Sequence, residues 1–191
     1  QDVLTKDVDI KPQAQADFSV NDVCEDTQAV FNNKTTVTSG TANYLWFFGD
    51  GKTSNSDNPF YQYQISGITK TFNVKLRASV PNGCSDSITK AVTVNASPKQ
   101  GFNYLVNFQT VNFSASENSG TNYKWSFGDG GTATTNKREH SYTYSKFPSG
   151  KYKACLEVTN LAGCKSDTCI DIQIWGGVEP IKPKEMKIYP N

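Results

Sequence analysis

The sequence predicts an all-β chain built from two consecutive β-sandwich modules. One motif occurs twice, as Tyr44-Leu-Trp-Phe-Phe-Gly-Asp-Gly51 and as Tyr123-Lys-Trp-Ser-Phe-Gly-Asp-Gly130. Several short segments alternate apolar and polar residues, which is typical of strands with one buried face. No segment has the spacing of an amphipathic helix. About seven short strands per copy favour a sandwich over other folds.

The repeat also predicts the domain boundaries. Three landmark pairs recur at separations of 79 or 80 residues: Trp46 and Trp125, Tyr63 and Tyr142, and Cys84 and Cys164. A constant offset of this kind indicates two homologous units. The predicted segments are an N-terminal linker (1–14), a first module (15–96), a second module (97–175) and a Pro/Gly-rich linker (176–191).

The phase of the motif strand follows from comparing the two copies. In the second copy Tyr123, Trp125 and Phe127 alternate with polar residues, so the aromatic side chains are expected to face the core. The first copy then buries its equivalents Tyr44, Trp46 and Phe48. Gly-Asp-Gly follows as a tight turn, because glycine tolerates positive φ and aspartate accepts local hydrogen bonds.

The later strands alternate in the same way. The predicted inward residues are Phe72, Val74, Leu76, Ala78 and Val80, then Val92 and Val94, in the first module, and Tyr152, Ala154, Leu156 and Val158, then Ile170, Ile172 and Ile174, in the second. Each module therefore ends in two neighbouring strands joined by a short turn.

The five cysteines indicate disulfides and an oxidising compartment, since no pair has CxxC spacing and the chain has one histidine. Cys155 and Cys169 are predicted to point outward from neighbouring antiparallel strands. They lie symmetrically about position 162 in the intervening turn, so they should be opposed and bonded. Cys24–Cys84 is the second expected bridge, provided that Cys24 runs beside the last strand of its module. Cys164 would then be a free thiol.

Composition and charge exclude several classes of function. The 19 basic and 18 acidic residues give a net charge of +1 with no basic stripe, so nucleic-acid binding is not expected. No apolar run is long enough to insert into a membrane. No leader sequence is visible, so any signal peptide is expected to have been removed or to lie upstream. Nucleophilic catalysis usually needs a histidine base. The only histidine, His140, lies two residues before Tyr142, and a structural role is preferred for it over a catalytic one. An enzyme is therefore not expected.

Calcium binding is the metal chemistry that the sequence leaves open. Asp50 and Asp129 lie in the predicted turns, and Asp57 with Asn58 follows in the first module. Oxygen-rich loops bind Ca²⁺, but no Asp-x-Asp-x-Asp spacing gathers enough ligands. Turn stabilisation is the preferred role of these aspartates, and no cofactor is expected.

Aromatic residues of the first module form a candidate ligand surface. Phe47, Phe60 and Tyr61, with Leu45, lie where the second module has polar residues such as Lys124 and Ser126. Exposed apolar patches mark partner sites, here an extracellular polysaccharide or protein. An interdomain contact or an ordinary packed loop is the alternative.

The motif residues resemble the polycystic kidney disease (PKD) domain. The resemblance rests on Trp-x-Phe-Gly-Asp-Gly in both copies, on Asn58-Pro59 and Tyr63, and on the strands around the Gly-Cys turns. The second copy is expected to carry Lys137-Arg138 in place of Asn-Pro. The resemblance implies an immunoglobulin-like fold and an accessory role in extracellular proteins. Met186-Lys-Ile-Tyr-Pro-Asn191 resembles the opening strand of the C-terminal sorting domain of type IX secretion in Bacteroidota.

These observations together predict a non-catalytic spacer or adhesion module of a secreted or outer-surface protein. It would be a monomeric fragment of a larger chain and would position a neighbouring functional domain. The alternative is a carbohydrate- or protein-binding accessory module of a secreted hydrolase.

Overall fold

The structure, a computed structural model, describes residues 11–145 and 149–175. The chain divides after Ala96 into two compact units, called module 1 and module 2. Both modules consist of strands, and no helix occurs in the described ranges. The predicted all-β fold is confirmed. Accordingly, this part of the chain contains no helix of the length and apolarity needed to cross a membrane.

Module 1 is a sandwich with one large sheet and one fragmented layer. Its strands are β1 (Ala14–Gln15), β2 (Phe18–Ser19), β3 (Val23–Cys24), β4 (Ala29–Val30), β5 (Asn32–Asn33), β6 (Thr36–Val37), β7 (Asn43–Phe47), β8 (Thr53–Ser54), β9 (Phe60–Tyr61), β10 (Lys70–Ser79) and β11 (Ser85–Asn95). The large sheet has the order β3-β11-β10-β7-β8, and the other layer consists of the pairs β1-β6, β2-β5 and β4-β9. Strand β3 runs parallel to β11.

Module 2 repeats this plan with longer strands in its second layer. Its strands are β12 (Phe102–Asn107), β13 (Thr110–Ala115), β14 (Asn122–Ser126), β15 (Thr132–Thr135), β16 (Glu139–Thr143), β17 (Gly150–Thr159) and β18 (Lys165–Ile174). One sheet has the order β15-β14-β17-β18 and the other β12-β13-β16. Strand β12 stays beside β13 over its whole length, whereas the first strand segments of module 1 leave their layer and reach β11 through β3.

A tryptophan from the motif strand lies at the centre of each core. Trp46 is fully buried and packs edge-on against Phe18, with ring centroids 5.1 Å apart. Trp125 packs in the same way against Phe102 at 5.2 Å. These contacts join the two layers of each module, because Phe18 and Phe102 belong to the opposite layer. Each module therefore has its own aromatic core.

The predicted strand phases agree with the observed burial. The residues predicted to face inward are buried, apart from the partly buried Tyr44 and Ile170. Strand β10 alternates without exception from Phe72 to Ala78. This pattern reflects the two-residue period of side chains along a strand.

The structure corrects the predicted tyrosine landmark of the second module, Tyr142. The Tyr63 hydroxyl donates to the Phe48 carbonyl at 3.0 Å, and the Tyr144 hydroxyl donates to the Phe127 carbonyl at 2.9 Å. The counterpart of Tyr63 is therefore Tyr144 and not Tyr142. Module 2 has two extra residues between its tryptophan and this tyrosine, and counting along the sequence could not reveal an insertion.

The same insertion corrects the expected replacement of Asn58-Pro59. The Pro59 carbonyl accepts from the Phe31 amide at 3.0 Å, and the residue opposite the equivalent Phe113 is His140. Glu139-His140 therefore takes the place of Asn58-Pro59, and the prediction of Lys137-Arg138 was wrong.

The predicted N-terminal linker overlaps module 1. The Cys84 amide donates to the Pro12 carbonyl at 2.8 Å, the Thr38 amide donates to the Gln13 carbonyl at 3.0 Å, and Ala14 is buried. Residues 12–14 thus belong to the sandwich. Residues 1–10 of that predicted linker, and the whole of the predicted linker 176–191, lie outside the described residues.

Candidate functional site

The Gly-Asp-Gly turn follows the motif strand in module 1, and its aspartate accepts two hydrogen bonds. Asp50 accepts from the Lys52 amide at 3.0 Å and from the Tyr61 hydroxyl at 2.5 Å. Burial, followed by this hydrogen bond to Asp50, raises the pKa of Tyr61 to about 12. Tyr61 also stacks on Phe48, with ring centroids 4.0 Å apart. The carboxylate therefore connects the turn to β9 in the opposite layer.

Module 2 builds the same turn. Asp129 accepts from the Gly131 amide at 2.9 Å and from the Tyr142 hydroxyl at 2.9 Å. Burial first, and then the contact with Asp129, raises the pKa of Tyr142. Tyr142 stacks on Phe127 at 3.7 Å, so Tyr142 is the counterpart of Tyr61. These contacts supply a structural role for both turn aspartates.

The calcium candidates are not brought together. Asp57 is exposed, and the neighbouring Asn58 uses its side-chain oxygen to accept from the Asn33 amide at 2.8 Å. Within the described ranges, no group of three or more His, Cys, Asp or Glu residues is arranged to hold a metal ion. Asp50 and Asp129 each accept one hydrogen bond within their own turn and one from a tyrosine of the opposite layer.

His140 packs against the core of module 2. Its ring lies parallel to that of Phe127, with centroids 5.5 Å apart and an interplanar angle of 16°. It occupies the ladder position opposite Phe113. This contact provides the structural role that the sequence analysis assigned to His140.

The disulfides agree with the predicted register in module 2. Cys155 and Cys169 are opposed on β17 and β18 and form a disulfide, with Cα atoms 4.0 Å apart. Their counterparts Lys75 and Thr89 are opposed in the same way on β10 and β11. The pairing predicted from the equal distance of Cys155 and Cys169 from position 162 is therefore confirmed.

The predicted Cys24–Cys84 bridge is wrong. Cys84 is a free, exposed thiol, and Cys24 is disulfide-bonded. Strand β3 does run beside β11, but Cys24 lies opposite Asn95 at the end of β11, whereas Cys84 precedes its first residue. Strand β11 is about 35 Å long at the usual rise per residue, so the two sulfurs are far apart. Cys164 is also disulfide-bonded and not a free thiol.

The predicted aromatic surface of module 1 is divided between two layers. Phe47 lies on β7 of the large sheet and is 39% exposed, while Phe60 lies on β9 of the opposite layer and is 65% exposed. Their side chains point away from the core on opposite sides of the sandwich, because the inner faces of the two layers pack together. Tyr61 faces inward onto Phe48. The three residues do not form one surface.

Module 2 has an exposed apolar strand that the repeat and the strand phases did not predict. Tyr104, Leu105 and Val106 lie on β12, the outer strand of its sheet, and Phe108 follows in the turn to β13. The signal in the sequence was an uncharged run from Phe102 to Gln109. The outer face of this sheet also forms a shallow groove of about 350 Å³, lined by Asn103, Leu105, Asn112, Ser114, Glu139 and Ser141 among others.

Comparisons with solved structures found several proteins that are similar to this chain. Solved structures similar to the chain include the PKD1 domain of Vibrio anguillarum Epp (23% identity, 44% of this chain and 99% of that chain, TM-score 0.39). Others are the PKD1 domain of the Vibrio cholerae metalloprotease PrtV (26%, 41% and 96%, TM-score 0.36) and the fibronectin(III)-like modules of Clostridium thermocellum CbhA (11%, 86% and 94%, TM-score 0.46).

The family model described as PKD domain matches residues 10–96 and again residues 101–174. These two segments cover most of the chain and coincide with the two modules. PKD domains are typically non-catalytic accessory modules, and their presence together with disulfides is consistent with an extracellular location. The chain belongs to the PKD domain family, as a tandem of two immunoglobulin-like modules.

Proposed function

We propose that the chain is a non-catalytic spacer and adhesion module that positions a neighbouring functional domain of an extracellular protein. The observation that carries this proposal is the short connection between two modules with separate cores. The Ala96 amide donates to Thr69 of module 1 at 3.0 Å, and the Lys99 amide donates to Glu117 of module 2 at 2.9 Å. Only Ser97 and Pro98 lie between these amides.

Such a connection limits the freedom of the chain between the modules. Proline fixes φ, and Glu117 is further held by the amide and hydroxyl of Ser119 at 2.8 and 2.7 Å. A flexible linker would need a longer Gly/Ser-rich segment. A short connection that is hydrogen-bonded at both ends suits a spacer that holds a neighbouring domain at a defined position.

A distance measurement tests the spacer function. Spin labels on the two modules should give a narrow distance distribution in the wild-type chain. A Gly/Ser segment of about ten residues inserted between Ser97 and Pro98 should broaden it, because such segments behave as random coils. The same segment inserted after Leu161, in an exposed turn, is the matched control. A wild-type distribution as broad as that of the linker variant contradicts the proposal.

Positioning is tested in the full-length protein that contains this chain. Deleting both modules should reduce the action of the neighbouring domain on a polymeric or surface-bound target, with little change on a small soluble one. An equal loss on both targets would indicate that the modules stabilise the neighbouring domain instead.

The second candidate function is binding of a polysaccharide or protein by the modules themselves. The groove on module 2 favours it, because Asn103, Asn112, Ser114 and Glu139 present amide, hydroxyl and carboxylate groups beside Leu105. Sites of this kind combine an apolar contact with a few polar groups. Pull-down on insoluble polysaccharides and on collagen separates the two functions, with Glu139→Ala as the test variant and Glu157→Ala, on the other sheet, as its control.

The source and export route are part of the proposal. The resemblance of Met186–Asn191 to a sorting domain supports export by type IX secretion in a member of the Bacteroidota. The prediction is that the protein is exported to the culture medium or to the cell surface by this route. Mass spectrometry of that protein, recovered from the culture medium or the cell surface, tests it.

A further inference from the structure

The outer strand of module 2, β12, lacks the protection that edge strands usually have. Soluble proteins protect such edges with charges, prolines or bulges. From Phe102 to Gln109 the chain has no charge and no proline, and Leu105 is 74% exposed. The corresponding edge of module 1 is broken between β1 and β2 at Asp17, which pairs with Lys90 at 2.6 Å.

Along β12, the backbone amide and carbonyl groups of three residues are not used in the ladder with β13. The Ser116 amide donates to the Gly101 carbonyl at 2.9 Å, which marks these residues as a hydrogen-bonded pair of the β12–β13 ladder. Bonded pairs alternate along an antiparallel ladder. The amide and carbonyl groups of Phe102, Tyr104 and Val106 therefore point away from β13, toward the free edge.

The geometry points to a second copy of this chain as the partner of β12, in an antiparallel pair centred on Leu105. A two-fold axis through Leu105 places Tyr104 opposite Val106 of the second copy, and their outward amides and carbonyls form two bonded pairs. Leu105 meets its own counterpart on the outer face. Asn103 lies opposite Asn107. The two three-stranded sheets become one six-stranded sheet.

Self-complementarity is the argument for a second copy over an unrelated peptide. In this register Tyr104, Leu105 and Val106 all meet apolar residues, and Asn103 meets Asn107. Centring on Tyr104 would instead place Leu105 against Asn103. Centring on Val106 would place Leu105 against Asn107. This pairing of module 2 with module 2 of a second copy goes beyond the proposed spacer function. It replaces the expectation that the chain is a monomer.

Sedimentation equilibrium of the full chain up to millimolar concentration tests the pairing. The wild type should show a monomer–dimer equilibrium. Leu105→Lys should weaken association at least about tenfold, because it places like charges opposite each other at the axis. The matched control is Leu161→Lys, which makes the same change at a leucine that is 91% exposed in a distant turn, and it should leave association unchanged.

Cross-linking tests the register itself. In a Cys84→Ser background, which removes the free thiol, the Leu105→Cys variant should form a covalent dimer under mild oxidation. Leu105 would form a non-hydrogen-bonded pair, where Cα atoms are close enough for a disulfide. The Leu161→Cys variant in the same background should not cross-link to that extent. A monomeric wild type at millimolar concentration, equal effects of the two lysine variants, or equal cross-linking at the two positions would each overturn the proposal.

Discussion

The two glycines of the Gly-Asp-Gly turn are required for different physical reasons. Substituting each one with alanine should separate the cost of backbone conformation from the cost of a steric clash. Gly49 and Gly51 both have positive φ, +86° and +91°. A Cβ at Gly49 would lie 2.7 Å from the carbonyl oxygen and 3.0 Å from the amide nitrogen of Asn73, on β10. A Cβ at Gly51 would meet no atom within 4 Å.

The expected costs follow from this difference. A left-handed backbone costs an alanine about 1–2 kcal/mol, and both Gly49→Ala and Gly51→Ala incur it. Only Gly49→Ala also forces the turn away from the backbone of β10, and such overpacking costs about 1–3 kcal/mol. We therefore expect a loss of about 1–2 kcal/mol for Gly51→Ala and about 2–5 kcal/mol for Gly49→Ala.

Urea unfolding followed by hydrogen-exchange mass spectrometry measures these losses, because peptides from each module report on that module separately. Module 2 provides an internal replicate. A Cβ at Gly128 would lie 2.8 Å from backbone atoms of Lys153, and one at Gly130 would meet nothing within 4 Å. Equal losses for the two substitutions of either pair would refute the reasoning, since backbone conformation alone would then explain both glycines.

Four other predictions concern single groups. The Trp46 indole donates to the Ser56 carbonyl at 2.9 Å, whereas the buried Trp125 nitrogen has no acceptor among the described residues. Because only Trp46→Phe removes a hydrogen bond, it should destabilise its module by about 1–2 kcal/mol more than Trp125→Phe does. Urea unfolding of the two variants measures this difference. Glu117 is buried; burial by itself would raise its pKa, but hydrogen bonds from the Lys99 amide and from Ser119 outweigh this effect and lower the pKa from 4.5 to about 2. Its stabilisation of module 2 is therefore complete above pH 4.5 and is lost as the pH falls toward 2. In urea unfolding followed over this pH range, Glu117→Gln should remove the acid dependence, which is worth at most about 3 kcal/mol. Ultraviolet titration should show Tyr61 ionising near pH 12, and Asp50→Asn should lower that pKa without restoring the usual value, because burial remains; an unchanged pKa would contradict the assigned contact. Thermal unfolding should be the same in EDTA and in millimolar calcium, and a rise of about 5 °C or more with calcium would indicate a native-state site at the turn carboxylates.

The sequence by itself determined the features that depend on local periodicity and on the repeat. Alternation along each strand identified the buried face, because successive side chains point to opposite sides. The distance of Cys155 and Cys169 from one turn fixed their pairing, because register in a hairpin follows from its turn. Internal duplication identified two modules without any further information.

Only the tertiary structure decided the features that depend on pairing between distant segments. Cys24 lies at the far end of β11 because β3 leaves the first layer and joins β11 in parallel, and nothing in the local sequence specifies that crossing. Phe47 and Phe60 are separated because β7 and β9 belong to different layers. The exposed edge at Leu105 exists because β12, unlike the first segments of module 1, remains the outer strand of its sheet. Such long-range choices depend on which layers pack together, and that information is distributed over the whole chain.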